Sequence, residues 1–521
     1  MTESDLLLAI DAGTGTCRAV LFAPDGTQVA IGQREYSHQE RAGVPGSQVF
    51  DTQGNWRLIC ECVREALAAP GVSADRVKAV SATSMREGMV LYDARGREIW
   101  ACPNVDGRAG EQAATLVRSG AAAEIYEHAG DWVAITAPPR FLWIAENEPD
   151  VFSSIAHVGM LADWIITRLS GEFATDPSLG SSSAMFDLTA RDWSGRVLEI
   201  LGLDRRVFPE VLDSGTVVGA VGSRAASETG LRAGTPVVIG GADTQLALVG
   251  IGVDQPGRFT VVGGSFWQHT VLADRPLIDP RRRLRTLCHS VPGEWMVEGI
   301  GFYCGLVMRW FRDAFCEHEK ELAAAAGRDV YSLLEDMAAA VPPGCGGLFG
   351  IFSNLMAAEH WVHASPAFIG FDVAAPERSG KKECFRAIEE AAAYVSRGHL
   401  EIAAELYGGS PHEIVFTGGA AKGSLWPQIV ADVVGVPVRV PVVKESSALG
   451  AAIYAGIGAG VYRDTDELEA RFERTVEPNA AASAVYRELY GEWLALYSAA
   501  LELTDATGVR PLWRAAATGN R

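Results

Sequence analysis

The chain has 521 residues, 48% hydrophobic and 21% charged, which is typical of a folded α/β protein with more than one domain. Its 45 Lys and Arg residues stand against 65 Asp and Glu residues, giving a net charge of −20. Such a surface disfavours nucleic acid and anionic membranes as partners, because both need a basic patch. The first residues are acidic and no apolar run reaches about 18 residues, so we expect neither a signal peptide nor a membrane span.

The cysteines give no sign of a disulfide framework or a metal site. Nine are scattered along the chain, and the only close pair is Cys60 and Cys62. That spacing matches neither a zinc site nor a redox CxxC motif. We therefore expect a reduced, cytoplasmic protein.

The chain opens with a predicted antiparallel meander. A buried strand at 6–10 is followed by the glycine turn at 11–16, a β-prone run that ends before the turn at 24–27, and a third strand from 28 to about 36. The glycine turn is nearly a dinucleotide fingerprint, but Arg18 replaces the third glycine and no helix follows. Consecutive N–H groups in this turn can hold an anion, and an ordinary hairpin turn is the alternative.

Two further segments carry polar residues at strand ends. Arg86 and Glu87 lie between strands predicted at 77–82 and 88–92, in an early hairpin, where they could hold a polyol or form a surface ion pair. Helical patterns dominate from about 109 to 201, and residues 234–246 then predict a strand that runs into an apolar helix. Asp243, at the turn between them, could accept a hydroxyl proton and help to position Mg²⁺, or serve only as the helix N-cap.

The second half repeats the plan of the first. Strands predicted at 258–262 and 266–272 flank the turn at 263–265, and a late strand at 413–416 leads through a glycine-rich turn into a helix that ends at 434. The late turn is not a P-loop, but it could let an adenosine lie against the backbone; tight helix–strand packing is the alternative. The repetition indicates an ancient duplication, and we expect two domains, 1–250 and 251–521.

The order of these signals resembles that of the FGGY carbohydrate kinases, which belong to the actin/Hsp70-like ATPase superfamily. The diagnostic stretches are 230–243 (GLRAGTPVVIGGAD), 417–438 (TGGAAKGSLWPQIVADVVGVPV) and 445–460 (ESSALGAAIYAGIGAG). The resemblance implies an α/β fold of two actin-like (ribonuclease H-like) ATPase domains with a central cleft for ATP and Mg²⁺. It implies transfer of the γ-phosphoryl group to a hydroxyl of a small polyhydroxy or keto compound.

The same resemblance implies a role for individual residues. Asp243 matches the family's general base, and Asp11 and Asp243 match its magnesium pair. The implied nucleotide-binding residues form two phosphate loops and an adenosine turn: Gly13, Thr14, Gly15, Thr16, Arg18, Gly264, Ser265, Gly418, Gly419 and Gly423. The implied substrate-binding residues are Arg86, Glu87, Gln245 and Phe266.

Within the family, four stretches resemble the autoinducer-2 kinases: 84–88 (SMREG), 99–106 (IWACPNVD), 264–268 (GSFWQ) and 308–315 (MRWFRDAF). The implied substrate is 4,5-dihydroxy-2,3-pentanedione, phosphorylated at its C5 hydroxyl in quorum-sensing signal processing. Asn104 stands where pentulose kinases usually carry Trp, which disfavours the alternative of a pentulose or polyol kinase. A second alternative is an ATP-driven chaperone-like or filament-forming protein. Some relatives are controlled by a sugar-phosphotransferase protein, so the resemblance allows such a partner.

Overall fold

The computed structural model describes residues 5–357, 362–442 and 445–514. The strands of the first 250 residues are β1 Leu6–Ala12, β2 Thr16–Phe22, β3 Gln28–Glu35, β4 Val77–Ser84, β5 Met89–Tyr92, β6 Glu98–Cys102, β7 His157–Met160, β8 Ala174–Thr175, β9 Phe186–Asp187, β10 Asp192–Trp193, β11 Glu210–Val211, β12 Val217–Ala220 and β13 Pro236–Ala242. The helices of this part are α1 Thr52–Leu67, α2 Gly110–Arg118, α3 Ala121–Ala129, α4 Ala137–Asn147, α5 Pro149–Ser154, α6 Leu161–Ser170, α7 Pro177–Ser182, α8 Gly195–Leu201, α9 Ser223–Thr229 and α10 Asp243–Gly250.

The remaining residues form a second set of elements. Its strands are β14 Phe259–Gly263, β15 Trp267–Ala273, β16 Arg285–Cys288, β17 Trp295–Gly301, β18 Phe349–Ile351, β19 Ala367–Ile369, β20 Ile414–Thr417, β21 Val438–Pro441 and β22 Phe472–Val476. Its helices are α11 Cys304–Phe315, α12 Glu317–Ala325, α13 Val330–Ala339, α14 Lys381–Tyr407, α15 Leu425–Val434, α16 Ser446–Gly458 and α17 Ala480–Thr507. Over the described ranges, none of the helices has both the length and the apolar character needed to cross a membrane.

The first sheet is mixed, with six strands in the order β12-β13-β4-β1-β2-β3. The meander β1-β2-β3 is antiparallel, as the glycine and proline turns between its strands predict. β1, β4 and β13 are parallel neighbours and are almost entirely buried. Their continuous apolar runs are typical of parallel strands that are covered on both faces.

The second sheet follows the same path through its central strands. Its order is β16-β17-β15-β14-β20-β21-β22, with an antiparallel run from β17 to β14 and parallel pairing from β14 through β20 to β21. An antiparallel strand closes each sheet, β12 beside β13 and β22 beside β21. This common topology is what the repeated sequence plan predicts, and the fold is the expected two-part α/β structure.

Helix α16 connects the two parts, because it packs against β1, β4, β13 and α10 of the first part. Two glycines permit the close crossing of α10 and α16. A Cβ atom on Gly450 would lie 1.9 Å from the carbonyl oxygen of Leu246, and one on Gly250 would lie 2.1 Å from that of Ser446. Since real Cβ atoms do not approach backbone atoms so closely, only glycine fits at either position. The domain boundary at residue 250 therefore stays a prediction. Helix α16, which follows this boundary in the sequence, packs against elements that precede it.

The prediction of an early hairpin around Arg86 and Glu87 is wrong. β4 lies in the six-stranded sheet, whereas β5 pairs with β6 and β7 in a separate three-stranded sheet. The chain leaves one sheet for the other at Glu87, whose φ of 61° lies in the left-handed region. A positive φ is uncommon for a residue other than glycine and marks a backbone conformation held by its surroundings.

Candidate active site

Asp243 is the first residue of α10, directly after the buried strand β13, and Ala242 occupies the N-cap position. The N-cap alternative for Asp243 is therefore wrong. Its Oδ1 accepts hydrogen bonds from Thr244 N at 2.7 Å and from Thr244 Oγ1 at 3.3 Å. Its side chain is 35% exposed, so this carboxylate is accessible to a ligand.

Burial raises the pKa of Asp243 to about 6. The nearby Arg86 guanidinium, whose Nε lies 3.9 Å from Asp243 Oδ1, opposes this shift, and the charges of Asp11 and Glu87 add to it. A carboxyl group with this pKa is mostly ionised at neutral pH, yet it is a stronger base than an ordinary aspartate. Asp243 is thus suited to accept a proton from a hydroxyl group.

Asp11 is the penultimate residue of β1 and lies on the same edge of the sheet. Asp11 is paired with Thr83 of β4, and Ala242 of β13 is paired with Ser84, so β4 separates the two acidic positions. Asp11 Oδ2 accepts a hydrogen bond from Ser447 Oγ of α16 at 2.9 Å, and burial raises the pKa of Asp11.

Two carboxylates on one edge fit a magnesium ion, because Mg²⁺ is usually held by one or two carboxylates, phosphate oxygens and water. The charge of Asp11 already raises the pKa of Asp243, a repulsion that a cation would relieve. Over the described ranges no group of three or more His, Cys, Asp or Glu side chains could hold a metal without other ligands. This donor set suits a metal brought in with phosphate rather than a resident ion.

The first predicted phosphate loop is a tight turn next to Asp11. Gly13 N donates to Thr16 O at 2.9 Å, and Asn104 Nδ2 donates to Thr14 Oγ1 at 3.1 Å. Gly15 O accepts a hydrogen bond from Tyr36 N at 3.0 Å. The two backbone bonds define the shape of the turn, and the bond from Asn104 orients the side chain of Thr14.

Arg18 follows the loop and already has an acidic partner. Its Nη1 donates to Glu445, just before α16, its Nη2 lies 3.2 Å from Thr16 Oγ1, and its Nε lies 3.9 Å from Asp11 Oδ2. Arg18 therefore joins the first part to the start of α16, and a phosphate would compete with Glu445 for its guanidinium.

The second phosphate turn and the adenosine turn share a cavity of about 690 Å³. Four residues implied by the resemblance line it: Gly264, Ser265, Gly419 and Gly423. Gly418 lies directly behind, since a Cβ there would be 2.6 Å from Gly263 O, and its φ of 91° requires glycine. The cavity has the size of a small-molecule site, and its lining does not include residues 13–18.

Arg86 and Glu87 lie in a buried network of charges that spans both parts. Arg86 Nη1 donates to Glu298 Oε2 of β17 at 3.0 Å, and Arg285 Nη2 of β16 lies 2.7 Å from Glu298 Oε1. Arg285 Nη1 donates to Glu87 Oε1 at 2.9 Å and to Asp131 Oδ2 at 3.2 Å. The surface ion pair considered for Arg86 and Glu87 is therefore excluded, because all five side chains are buried.

The remaining predicted substrate residues are placed differently. Gln245 is fully buried in α10, where its Nε2 donates to Cys288 O at 3.3 Å and its Oε1 has no hydrogen-bond partner among the residues that the structure describes. Phe266 belongs to an aromatic cluster, with ring centroids 5.0 Å from Phe302 and 5.6 Å from Tyr303. The structure thus brings Arg86 close to Asp243 and links Glu87 to Arg86 through Arg285 and Glu298.

The sequence analysis missed Asp131, Arg285, Glu298 and Arg140. Arg140 is buried and donates to the carbonyl of Glu87 and, at 3.1 Å, to that of Asn104. A signal was available for Glu298, which is the only charged residue in the apolar strand Trp295–Gly301. A lone charge at such a position needs a buried partner of opposite charge.

Comparison with known proteins gives the family. The N-terminal domain of the FGGY family of carbohydrate kinases matches residues 6–250, and the C-terminal domain matches residues 269–459. The chain is 47% identical over 520 residues to the autoinducer-2 kinase of Yersinia enterocolitica, covering 99% of this chain and 98% of that one. It is also 47% identical over 519 residues to the autoinducer-2 kinase of Yersinia pseudotuberculosis, covering 98% of each chain.

Solved structures agree with this relationship. The xylulose kinase from Rhodospirillum rubrum superposes with a TM-score of 0.84 at 27% identity, covering 96% of this chain and 99% of that one. The Plasmodium falciparum glycerol kinase with ADP superposes with a TM-score of 0.82 at 17% identity, over 95% and 98% of the two chains, and supports the fold alone. The chain belongs to the FGGY family of carbohydrate kinases and is an ATP-dependent phosphotransferase that acts on a hydroxyl group.

Proposed function

We propose that this protein is an autoinducer-2 kinase, which transfers the γ-phosphoryl group of Mg·ATP to the C5 hydroxyl of linear 4,5-dihydroxy-2,3-pentanedione. The observation that carries the proposal is the juxtaposition of a partly exposed Asp243 and the buried pair Arg86–Glu298. The identity of 47% with proteins named autoinducer-2 kinase, over nearly the whole chain, supports this substrate. A pentulose or polyol kinase and a chaperone-like ATPase are not favoured.

Asp243 is assigned as the general base. Its contacts with Thr244 and Arg86 all involve Oδ1, so we assign Oδ2 as the atom that takes the hydroxyl proton. Arg86 stays between Asp243 and Glu298, where its charge keeps Asp243 ionised near neutral pH. Because phosphoryl transfer depends on alignment more than on covalent catalysis, holding the hydroxyl beside Oδ2 is the main task of the protein.

Asp11 and Asp243 are assigned as the residues that hold magnesium, through its water ligands or directly. Bound Mg·ATP would supply the phosphoryl group and the positive charge that neutralises the transferring oxygens. The phosphates are assigned to the turns at 13–16 and 264–265, one from each part of the chain. Closure of the two parts around them would exclude water, which competes with the hydroxyl as acceptor.

The substrate is assigned to the buried network beside Asp243. An uncharged dihydroxy-diketone offers hydroxyl donors to carboxylates and carbonyl acceptors to guanidinium groups, and the network supplies both kinds of partner. The side chain of Asn104 donates a hydrogen bond to Thr14 of the first phosphate loop. Arg140 donates hydrogen bonds to the backbone carbonyl groups of both Asn104 and Glu87. Trp, which pentulose kinases usually carry at this position, has no side-chain amide and would not reproduce the hydrogen bond from Asn104 to Thr14.

The test is release of ADP from Mg·ATP with 4,5-dihydroxy-2,3-pentanedione, xylulose, ribulose and glycerol offered separately. We expect efficient turnover with the dione, and phosphorus NMR of the product should place the new ester on C5. Equal or greater kcat/KM with a pentulose or with glycerol would contradict the substrate assignment. ATPase activity that no acceptor stimulates would contradict the kinase assignment itself.

A further inference from the structure

The nucleotide-side cavity has an acidic side chain in its wall that no protein group satisfies. Glu389 lies on α14 one turn after Phe385, and both residues line the cavity of about 690 Å³. Glu389 is fully buried, and neither of its carboxyl oxygens has a hydrogen-bond partner in the described part of the chain. Its backbone carbonyl is fixed by Trp426 Nε1 of α15, which donates to it at 3.1 Å.

The neighbouring cation does not neutralise this carboxyl group. Arg386 donates to Glu390 Oε1 and to Tyr486 Oη, each at 2.9 Å. Glu390 in turn accepts from Gly344 N at 3.1 Å, so Arg386 and Glu390 satisfy each other and the backbone nearby. Glu389 has no share in these bonds. Since buried polar groups are nearly always paired, an unpaired carboxyl group on a residue in the wall of a cavity points to a ligand that would pair it.

Burial raises the pKa of Glu389 well above its ordinary value, and the charge of Glu335 adds to the effect. The raised pKa favours the neutral, protonated form of this carboxyl group. In that form it offers one O–H donor and one carbonyl acceptor side by side. A ligand group that fits must present an acceptor and a donor at the same spacing.

The surroundings favour a flat, uncharged group beside Glu389. Phe385, Trp426 and Tyr331 give the cavity aromatic walls. Glu335, whose charge acts on Glu389, also lines the cavity and would repel a phosphate placed beside Glu389, although the lining as a whole also includes the basic residues Arg309 and Lys422. Adenine is flat, and its 6-amino group and N1 form a donor–acceptor pair that complements a neutral carboxylic acid.

We propose that Glu389 is a specificity-determining residue that recognises the N1 and 6-amino edge of adenine in the nucleotide donor. This inference depends on the proposed function in one respect, which is that ATP is the ligand of this cavity. Glu389 accepts a hydrogen bond from the 6-amino group and donates one to N1. The phosphate chain extends from there toward the turn at Gly264 and Ser265, which line the same cavity.

The test is a comparison of equilibrium Kd values for ATP and for purine riboside triphosphate, which lacks only the 6-amino group. Isothermal calorimetry without acceptor is the measurement, so the result does not depend on the acceptor assignment. We expect the wild-type protein to bind ATP about 10-fold more tightly, the effect of about one buried hydrogen bond. Glu389→Leu should reduce this ratio to less than about 2-fold, because it removes both the donor and the acceptor.

Two further variants separate recognition from folding. Glu389→Gln keeps one donor and one acceptor and should retain most of the ratio. Glu401→Leu, on an exposed part of the same helix, should leave the ratio unchanged. Because Glu389→Leu removes an unpaired buried acid, the Tm of its nucleotide-free form should not fall.

Two results would overturn the proposal. One is a Glu389→Leu variant that retains the full preference for ATP over purine riboside triphosphate. The other is a variant that instead loses discrimination between ATP and 2′-deoxy-ATP, which would assign Glu389 to the ribose. Failure of the proposed function would look different, because nucleotide recognition would persist while no acceptor was phosphorylated.

Discussion

Arg86 and Glu298 are 212 residues apart in the sequence, yet Arg86 Nη1 donates to Glu298 Oε2 at 3.0 Å. Arg86 follows a strand of the first sheet, and Glu298 lies within a strand of the second. The same guanidinium has its Nε 3.9 Å from Asp243 Oδ1. A single side chain thus contacts the assigned base on one side and the second part of the protein on the other, so the position of one part affects the charge around the base.

Replacing Glu298 by Gln should weaken acceptor binding. Arg86 and Arg285 would lose their shared carboxylate, and the loss of one partner from a buried ion pair costs about 3–5 kcal/mol of stability. We expect at least about a 10-fold rise in KM for the acceptor, a change in KM for ATP of less than about 2-fold, and a lower Tm. Steady-state kinetics with each substrate varied in turn is the measurement.

The matched control for this variant is Glu413→Gln. Glu413 also joins two arginines, with its Oε1 2.9 Å from Arg258 Nη1 and 3.2 Å from Arg439 Nη1, but it is partly exposed. Exposed ion pairs contribute about 0–1 kcal/mol, so kinetics and Tm should change little. A parallel rise in both KM values for Glu298→Gln would argue for general damage rather than loss of acceptor binding.

Replacing Asp243 by Asn should abolish most of the turnover while stabilising the protein. Loss of a general base lowers kcat by a factor of about 10² to 10⁴. Because burial disfavours the charged form of Asp243, a neutral isostere should raise the Tm at pH 7. Single-turnover assays and thermal unfolding measure the two effects, with the exposed Asp204→Asn as the control.

A near-normal kcat in Asp243→Asn would remove this residue from the role of base. Loss of both activity and stability would mean that the carboxylate is needed for the fold. The combination of lower activity and higher Tm is the pattern expected of a residue kept for catalysis at the expense of stability.

The pH dependence should show the raised pKa of Asp243. The base works in its ionised form, so kcat/KM should fall as the pH falls through about 6. In Glu298→Gln, Arg86 would be free to move closer to Asp243, which would lower its pKa and shift the acid limb to lower pH. Three charged groups act on the pKa of Asp243: Arg86 lowers it, whereas Asp11 and Glu87 raise it and would oppose the downward shift in this variant. An acid limb at pH 4 in the wild type would contradict the assignment.

The raised pKa also affects stability, with a definite sign. Between the ordinary pKa of about 4 and the folded value of about 6, folded Asp243 holds more protons than unfolded Asp243. Its contribution to the free energy of unfolding therefore falls as the pH rises through that window. The free energy of unfolding can be measured with urea at pH 4.5 and at pH 7. Relative to the wild type, Asp243→Asn should gain more stability at pH 7 than at pH 4.5, because only the wild type carries the buried charge at the higher pH.

Gly450→Ala should destabilise the protein although alanine is the better helix former. The added Cβ would lie 1.9 Å from Leu246 O, so α10 and α16 would have to move apart. We expect a loss of about 1–3 kcal/mol in the free energy of unfolding. Gly491→Ala in α17 is the control, since its Cβ would meet nothing within 4 Å, and it should gain about 0.5–1 kcal/mol. Equal effects in the two variants would contradict the close crossing.

The sequence predicted the sheets well where local signals agree. The strand that ends at Ala242 and the helix that begins at Asp243 follow from an apolar run, two glycines and an apolar helical segment. The hairpins at 6–22 and 259–273 follow from short β-prone runs around glycine turns. Each of these signals lies within a few residues of the structure that it specifies.

The sequence predicted less where the structure depends on distant contacts. Arg86 and Glu87 look like residues of a hairpin, but the next strand joins a different sheet, which no local signal indicates. Arg285 and Glu298 are 13 residues apart on neighbouring strands, but the bonds that join them to Arg86, Glu87 and Asp131 span 154 to 212 residues of sequence. Partners of that kind cannot be paired from one sequence by spacing.

The position of α16 has a consequence for dividing the chain. The face of the first sheet that includes Leu7, Ala9 and Val238 packs against apolar residues of this helix, which begins 208 residues after Val238 and 439 residues after Leu7. A fragment that stops at residue 250 would expose that face to water and would be prone to aggregate. The first part of the chain is thus not a separable piece, because it completes its core with a helix that belongs to the second.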